Sequence, residues 1–192
     1  MTSILLAGPA TEPVTLAEAK AFLRVDGTDE DPFIQTLIAA ARLHTESVSG
    51  RAMITQSWRV LVDQWPADRK LRLPVAPLKT LSEIRTYDAD GEPTILALAE
   101  FQPESGTAPA HLVVPSMVAD MPALRQYNGI EIDYVAGFGD APENVPEDLR
   151  HAVLTLVGYW FEHRDAVIVA GSGAVVPAGF DRLIEGYRQV RL

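Results

Sequence analysis

The hydrophobic periodicity of this chain changes twice, and this change constrains the fold more than any other feature of the sequence. Before residue 54 and after residue 137, apolar residues recur every three to four positions, which is the period of a helix that buries one face. Between these points they alternate with polar residues, which is the period of a strand. The helical ends must pack together because neither is stable alone. We therefore predict an α+β fold, mainly α, in which N- and C-terminal helices form one helical core with a β-rich insertion between them.

Start and stop signals mark two helices near the N-terminus. Thr15 and Glu18 fit a capping box at the start of a helix that runs to about Val25. A second helix is predicted from Asp31, which would act as its N-cap and is followed by a proline. Gly50 is a natural end for this helix. The pair predicts a helical hairpin.

Strand patterns fill the middle of the chain. Residues 58–62 and 130–134 alternate between apolar and polar side chains. Residues 88–91 have the composition of a turn, and residues 94–98 fit the returning strand of a hairpin. Residues 102–110 are rich in Pro, Gly, Ser and Ala and are predicted to be a loop.

Helical periodicity returns near the C-terminus. A helix that starts at Pro146 and ends near His163 has the broad apolar face of a central core helix. Residues 165–179 are apolar but contain Gly171, Gly173 and Pro177, and a short helix follows them. The side chains expected in the helical core are Phe22, Leu37, Ile38, Leu156 and Trp160.

These patterns predict one domain that covers residues 1–192. Residues 1–54 form its helical hairpin and residues 55–136 its β-rich insertion. Residues 137–192 supply the core helix, an apolar loop and the C-terminal helix with its tail.

The residue types needed for catalysis or metal binding do not occur at useful spacings. The sequence has no cysteine, so disulfides, thiolate metal sites and cysteine nucleophiles are excluded. Its four histidines lack the spacing of a zinc site. It has no glycine-rich phosphate loop, no serine nucleophile elbow and no apolar run long enough to cross a membrane. We predict a protein without catalytic, cofactor or metal sites that is not an enzyme and does not bind a membrane.

The negative charge is concentrated in one part of the sequence. The formal net charge is −10, and residues 88–147 contain 11 acidic residues and one basic residue, Arg125. The remainder is therefore balanced. A surface of this sign repels phosphate, which disfavours sequence-specific DNA binding. The acidic residues either maintain solubility or have a functional role, and the sequence leaves both open.

Three stretches resemble a known family in their order and spacing. The first is residues 13–25, PVTLAEAKAFLRV, followed closely by the second helix. The second is residues 130–165, which include YVAGFG and YWFEHR, and the third joins Val176-Pro177 to residues 183–188, LIEGYR. Together they resemble the head–tail connector (adaptor, or head-completion) proteins of long-tailed phages and phage-like gene transfer agents.

The resemblance implies a structural virion protein. Such proteins form a ring, usually of twelve copies, under the portal at the capsid vertex. They help to close the DNA-filled head and provide a platform for tail docking. The implied partners are further copies of the chain, the portal protein and a tail-side terminator or stopper protein, and double-stranded DNA passes through the bore without sequence-specific contacts. No cofactor is implied. The protein is expected to be made in the bacterial cytoplasm and to reside at the head–tail junction.

Two sets of residues are expected to serve these contacts. The broken apolar run and the basic C-terminal tail are expected to bind the portal, whose acidic residues would attract the arginines. This set is Val175, Val176, Pro177, Arg182, Tyr187, Arg188, Arg191 and Leu192. Acidic side chains are expected to face the bore or the tail, since fixed negative charge lets DNA slide without sticking. This second set is Asp88, Asp90, Glu92, Glu131 and Asp133.

Two functions of other classes remain as alternatives. A small ligand- or peptide-binding module built on the β insertion would be a monomer with one concave apolar pocket. An enzyme would have a cleft in which titratable groups cluster.

Overall fold

The computed structural model describes residues 1–105, 109–116, 123–163 and 176–188. The chain divides into two compact units. The sheet unit contains Met1–Pro9 and Thr55–Phe138, and the helical unit contains Ala10–Ile54 and Gly139–Leu192. The chain therefore passes from one unit to the other three times.

The sheet unit is built on a five-stranded antiparallel sheet. Its strand order is β1-β2-β8-β4-β5. The strands are β1 (Thr2–Ala7), β2 (Gln56–Val62), β4 (Leu78–Tyr87), β5 (Pro93–Ile95) and β8 (Ile130–Ala136). The register places Val60 of β2 opposite Ile132 of β8, and Ile84 of β4 opposite Ile132 on the other side. These three side chains are fully buried.

The central strand β8 follows the alternation seen in the sequence. Ile130, Ile132, Tyr134 and Ala136 are buried, whereas the residues between them are half-exposed. The Tyr134 hydroxyl accepts a hydrogen bond from the Val75 amide at 3.2 Å. Burial raises the pKa of Tyr134 to about 12 despite this hydrogen bond.

A second, three-stranded antiparallel sheet completes the sheet unit. Its strands are β3 (Lys70–Leu73), β6 (Gln102–Glu104) and β7 (Ala110–Val113), in the order β3-β7-β6. Leu71 of β3 lies opposite Leu112 of β7, and both are buried. Residues 102–104 were expected in a loop because of their composition, but they pair with β7 as an edge strand.

The helical unit contains α1 (Leu16–Leu23), α2 (Asp31–Ser49), α3 (Glu147–Glu162) and α4 (Phe180–Ile184). The predicted capping box of α1 is confirmed, since Thr15 Oγ1 accepts from the Glu18 amide at 3.2 Å and Glu18 Oε2 accepts from the Thr15 amide at 2.8 Å. Gly50 ends α2 in the left-handed conformation with φ +67°, as predicted. Helix α3 packs against α1, α2 and α4.

The start of α2 differs from the prediction by one residue. Glu30 occupies the N-cap position and Asp31 is the first helical residue. The Asp31 carboxylate instead accepts from Lys20 of α1 at 2.6 Å. The side chain that was expected to cap α2 therefore links the two helices of the hairpin.

The predicted mainly α fold with one helical core is wrong. The described residues form eight strands in two antiparallel sheets as well as four α helices. Strand β1 precedes both helices of the hairpin and pairs with β2, so the sheet is not made only from the segment between the helical ends. The strands also bury an apolar set of their own, which includes Val60, Leu112 and Ile132.

Four of the five side chains expected in the core are buried, and Phe22 is not. Leu37, Ile38, Leu156 and Trp160 have at most 8% of their surface exposed. Phe22 is 46% exposed, and the buried residue of α1 is Ala19 instead. The Phe22 ring lies beside Gly158 of α3, where an added Cβ would come within 3.0 Å of a ring carbon, and it meets the His151 ring edge-on with the centroids 6.3 Å apart.

Candidate interaction surfaces

The C-terminal segment, residues 176–188, is anchored to the helical unit by two buried side chains. Phe180 and Ile184 of α4 are 1% and 0% exposed. The Phe180 ring centroid lies 5.5 Å from that of His44 on α2, and His44 lies 6.0 Å from Trp160 of α3. The anchor therefore fixes one side of the segment and leaves its polar residues on the outside.

Five of the eight residues expected to bind the portal lie in this segment. Val176, Pro177 and Tyr187 are half-buried, whereas Arg182 and Arg188 are exposed. Arg188 pairs with Asp181 of the same segment. The remaining three, Val175, Arg191 and Leu192, lie outside the described residues.

The Tyr187 hydroxyl and the guanidinium of Arg51, which follows α2, are close enough to interact electrostatically. Burial lowers the pKa of Arg51 and Tyr187 opposes this effect. Burial raises the pKa of Tyr187, Asp148 adds to this effect, and Arg51 opposes it. Among the described residues, nothing accepts a hydrogen bond from the buried Arg51 Nε. A half-buried guanidinium therefore lies close to the end of the C-terminal segment.

The N-terminus of α1 is joined to α3 by a cluster of charged groups. Arg150 of α3 pairs with Glu18, and its Nη1 donates to Glu147 at 2.9 Å. Its Nε donates to the Pro13 carbonyl at 3.1 Å. Burial opposes the charged form of Arg150, but the two glutamates raise its pKa overall. This cluster has a structural explanation, since every group in it has a partner.

The acidic candidates fall into two separate groups. Asp88, Asp90 and Glu92 are exposed on the turn between β4 and β5. Asp88 Oδ1 accepts from the amides of Asp90 and Glu92 at 3.0 and 2.9 Å, which holds the turn closed. The other two candidates lie on the central strand β8.

The charges of Glu131 and Asp133 are paired with arginines on the neighbouring strands. Arg59 of β2 donates twice to Asp133, with both distances 2.7 Å, and this hydrogen bonding raises the pKa of Arg59. Arg85 of β4 donates to Glu131 at 3.2 Å and also pairs with Glu83. Because cations lie on both sides, this pair presents less net negative charge than the exposed turn.

Residues 125–128 form a loop that is held by side-chain contacts, and the sequence patterns did not predict these contacts. The Arg125 guanidinium lies 3.8 Å from the Tyr87 ring centroid and donates to the Asn128 carbonyl at 2.7 Å. The Asn128 amide donates to Asp63 at 2.8 Å. The loop exposes 71% of Tyr127. The Asn128-Gly129 pair is typical of a turn, and it is the part of this loop that the sequence could have indicated.

The described residues contain neither a candidate metal-binding cluster nor a candidate membrane-spanning helix. Within the ranges that the structure describes, no group of three or more His, Asp or Glu residues could hold a metal ion. None of the described helices is both long and apolar enough to cross a membrane.

Comparisons with solved structures cover nearly the whole chain. A chain in the virion of a native gene transfer agent (GTA) particle is 27% identical, with a TM-score of 0.80 over 100% of this chain and 97% of that one. A chain in the neck of an empty GTA particle, computed with C6 symmetry, is 26% identical with a TM-score of 0.81 and the same coverage. A third, in the neck of a native GTA particle computed with C12 symmetry, is 26% identical with a TM-score of 0.69 over 98% and 97%. No curated protein matches significantly.

The sequence itself carries the family signature. The family model described as head completion protein matches residues 12–174. This range includes the capped helix α1, the helical hairpin, strand β8 and the central helix α3. The resemblance drawn from the sequence is thus confirmed, and the chain belongs to the head completion protein family.

Proposed function

We propose that this chain is a structural subunit of the neck of a phage-like particle, where it forms a ring at the head–tail junction. The observation that supports this best is similarity over the whole chain to neck and virion subunits of a GTA particle. Two of those necks were computed with C6 and C12 symmetry, which fits a subunit that contacts copies of itself around an axis. The role is structural: the subunit helps to close the head and connects it to the tail.

The C-terminal segment is the proposed attachment to the portal. Its buried anchors, Phe180 and Ile184, leave Arg182 exposed to a partner, and Arg188 is also exposed but already pairs with Asp181. Exposed arginines suit a partner surface that carries carboxylates, because the planar guanidinium binds a carboxylate through two hydrogen bonds. Val175, Arg191 and Leu192 remain part of this proposal by their place in the sequence.

The exposed acidic turn is the proposed lining of the bore or of the tail-facing rim. Asp88, Asp90 and Glu92 are open to solvent and have no arginine among their hydrogen-bond partners in the described parts of the chain. Fixed negative charge at this position would keep DNA phosphates from binding as they pass. Glu131 and Asp133 contribute less, because Arg59 and Arg85 compensate their charge.

Deletion of residues 188–192 tests the portal attachment. The shortened chain keeps both anchors of the C-terminal segment, so its circular dichroism and urea unfolding are expected to match those of the wild type. Its amount in purified particles is expected to fall strongly. Incorporation at the wild-type level would contradict the proposed attachment.

A pair of charge reversals gives a sharper comparison. Arg182→Glu changes an exposed cation of the C-terminal segment, and Lys70→Glu makes the same charge change at a 54% exposed side chain of the sheet unit. We expect only Arg182→Glu to reduce incorporation. Equal loss in both variants would mean that net charge, rather than this segment, controls attachment.

The wild-type chain tests the proposed function itself. Antibody labelling of purified particles is expected to place it at the junction between head and tail. Its absence from particles would overturn the proposed neck role.

A further inference from the structure

Strand β1 is an apolar sheet edge that carries neither charge nor proline, and its register with β2 shifts between Leu5 and Ala7. It lies at one end of the five-stranded sheet and pairs with β2 alone in the described part of the chain. All six of its residues are exposed, and Ile4, Leu5 and Leu6 are 41%, 46% and 48% exposed. Its sequence, TSILLA, contains no charge and no proline. An edge with these properties is a template for another strand.

The other three sheet edges carry the usual protection against such pairing. Strand β5 has three residues and begins with Pro93, and β6 has three residues with Pro103 in the middle. Strand β3 presents the exposed cations Lys70 and Arg72. Proline, charge and short length each block the addition of a strand. Only β1, of the four edges described, lacks all three.

The chemistry of β1 defines what would cover it. In an antiparallel strand, alternate residues direct their N–H and C=O groups away from the paired neighbour, so about three residues of β1 offer free backbone groups. These groups require an extended segment from the partner. Ile4 pairs with Arg59 of β2, so these two side chains lie on the same face of the sheet. Leu5 pairs with Trp58, and these two lie on the other face. A strand added at this edge would therefore meet apolar side chains of β1 on both faces of the sheet.

We propose that β1 is a contact between neighbouring copies of this chain, in which an extended segment of the next copy adds to the five-stranded sheet at this edge. The inference rests on the proposed ring. In a closed ring each copy meets its two neighbours through two different surfaces, and every copy would present β1 at the same place. The edge has no charge, so the contact relies on backbone hydrogen bonds and apolar burial rather than on ion pairing.

A photo-crosslinker at Leu6 tests this contact in assembled particles. Benzoylphenylalanine is placed at Leu6 in the full chain, particles are purified, and light is applied. We expect a product of twice the chain's mass, in which residue 6 is joined to a peptide of a second copy. The matched control places the same group at Ile95, which is 66% exposed on the opposite edge of the same sheet. It is expected to give much less of this product.

Three outcomes separate this inference from the proposed function. If the wild-type chain is absent from particles, the neck role fails and the ring contact fails with it. If the chain is in particles but Leu6 crosslinks only to another protein, or to nothing, the neck role stands and the β1 contact is overturned. If Leu6 and Ile95 give equal amounts of the doubled product, the contact is not specific to β1 and the inference is also overturned.

Hydrogen exchange of the unmodified chain gives an independent readout if the probe disturbs assembly. Amides of residues 2–7 that exchange fast in the isolated chain are expected to be slowed at least tenfold in particles, because a new strand would bond them. Unchanged exchange of these amides in particles that contain the chain would overturn the proposal.

Discussion

At the scale of single residues, the half-buried His44 is a titratable group that packs against the buried Phe180 of the C-terminal segment. Its ring lies between Trp160 of α3 and Phe180 of α4. Burial lowers the pKa of His44, and the nearby Asp181 opposes this effect. Burial therefore favours the neutral imidazole at this position.

The lowered pKa of His44 predicts a loss of stability in acid. Since the folded-state pKa lies below the unfolded value of 6.5, the unfolded chain binds more protons once the pH falls below about 6.5. The stability that neutral His44 contributes is present above this pH and is lost as the pH falls toward the folded-state pKa. The free energy of unfolding, measured by urea titration, should fall less between pH about 7.5 and pH about 5.5 for His44→Leu than for the wild type.

A substitution at the neighbouring position of the same helix controls for general effects of pH. Leu43 is 57% exposed on α2 and does not titrate, so Leu43→Gln is expected to keep the wild-type decrease. An identical decrease in His44→Leu and in the wild type would rule out the contribution of His44.

The sequence could predict acidic candidates but not their electrostatic environment. The excess of acid over residues 88–147 is visible in the sequence. The pairing of Asp133 with Arg59 is not, because the two residues are 74 positions apart and meet only through the register of β2 and β8. The charge distribution along the sequence therefore selected both Asp88 and Asp133 as candidates for the bore or the tail-facing surface. Among the residues that the structure describes, an arginine compensates the charge of Asp133 but not that of Asp88.

At the scale of the elements, α3 is the helix on which the helical unit depends. It is buried along one face from Leu149 to Trp160, and Leu156 is 0% exposed. We expect Leu156→Ala to lower the free energy of unfolding by roughly 2–5 kcal/mol, because it removes buried methyl groups and leaves a cavity. Urea unfolding followed by tryptophan fluorescence measures this change.

The same substitution at an exposed leucine is the control. Leu43→Ala removes the same atoms from a side chain that is 57% exposed, so its effect should stay within about 0.5 kcal/mol of zero. Comparable losses at Leu43 and Leu156 would contradict the assignment of α3 as a core helix.

Elements with strong local signals could be predicted, and those that depend on distant partners could not. Strand β8 alternates over its whole length, and α1 carries its capping box within four residues. Strand β1 reads only as a short apolar run, since both its faces are exposed and no alternation results. Its partner β2 begins about fifty residues later, so no pattern in the sequence near β1 indicates the pairing.

At the scale of the whole molecule, the charge distribution predicts that the chain does not retain DNA. The formal net charge is −10, and the acidic excess lies within residues 88–147. Non-specific DNA binding at physiological salt has Kd values of about 10⁻⁴ to 10⁻⁶ M and depends on cations that contact phosphates. We expect no shift of double-stranded DNA in a gel at micromolar concentrations of the chain and about 50 mM salt.

Neutralising the exposed turn extends this test. The triple variant Asp88→Asn, Asp90→Asn and Glu92→Gln removes three negative charges from the proposed DNA-facing surface. The expected repulsion would be contradicted if the wild-type chain already shifted double-stranded DNA in the gel and this shift weakened as the salt concentration was raised.

The interleaving of the two units sets the order in which the protein can be completed on a ribosome. Strand β1 is synthesised first, but the central strand of its sheet ends only at Ala136. At synthesis rates of about 5–20 residues per second, the first strand waits on the order of ten seconds for the sheet to close. The sheet unit therefore cannot close until the whole helical hairpin has been made, because residues of the helical unit separate β1 from the other strands of its sheet.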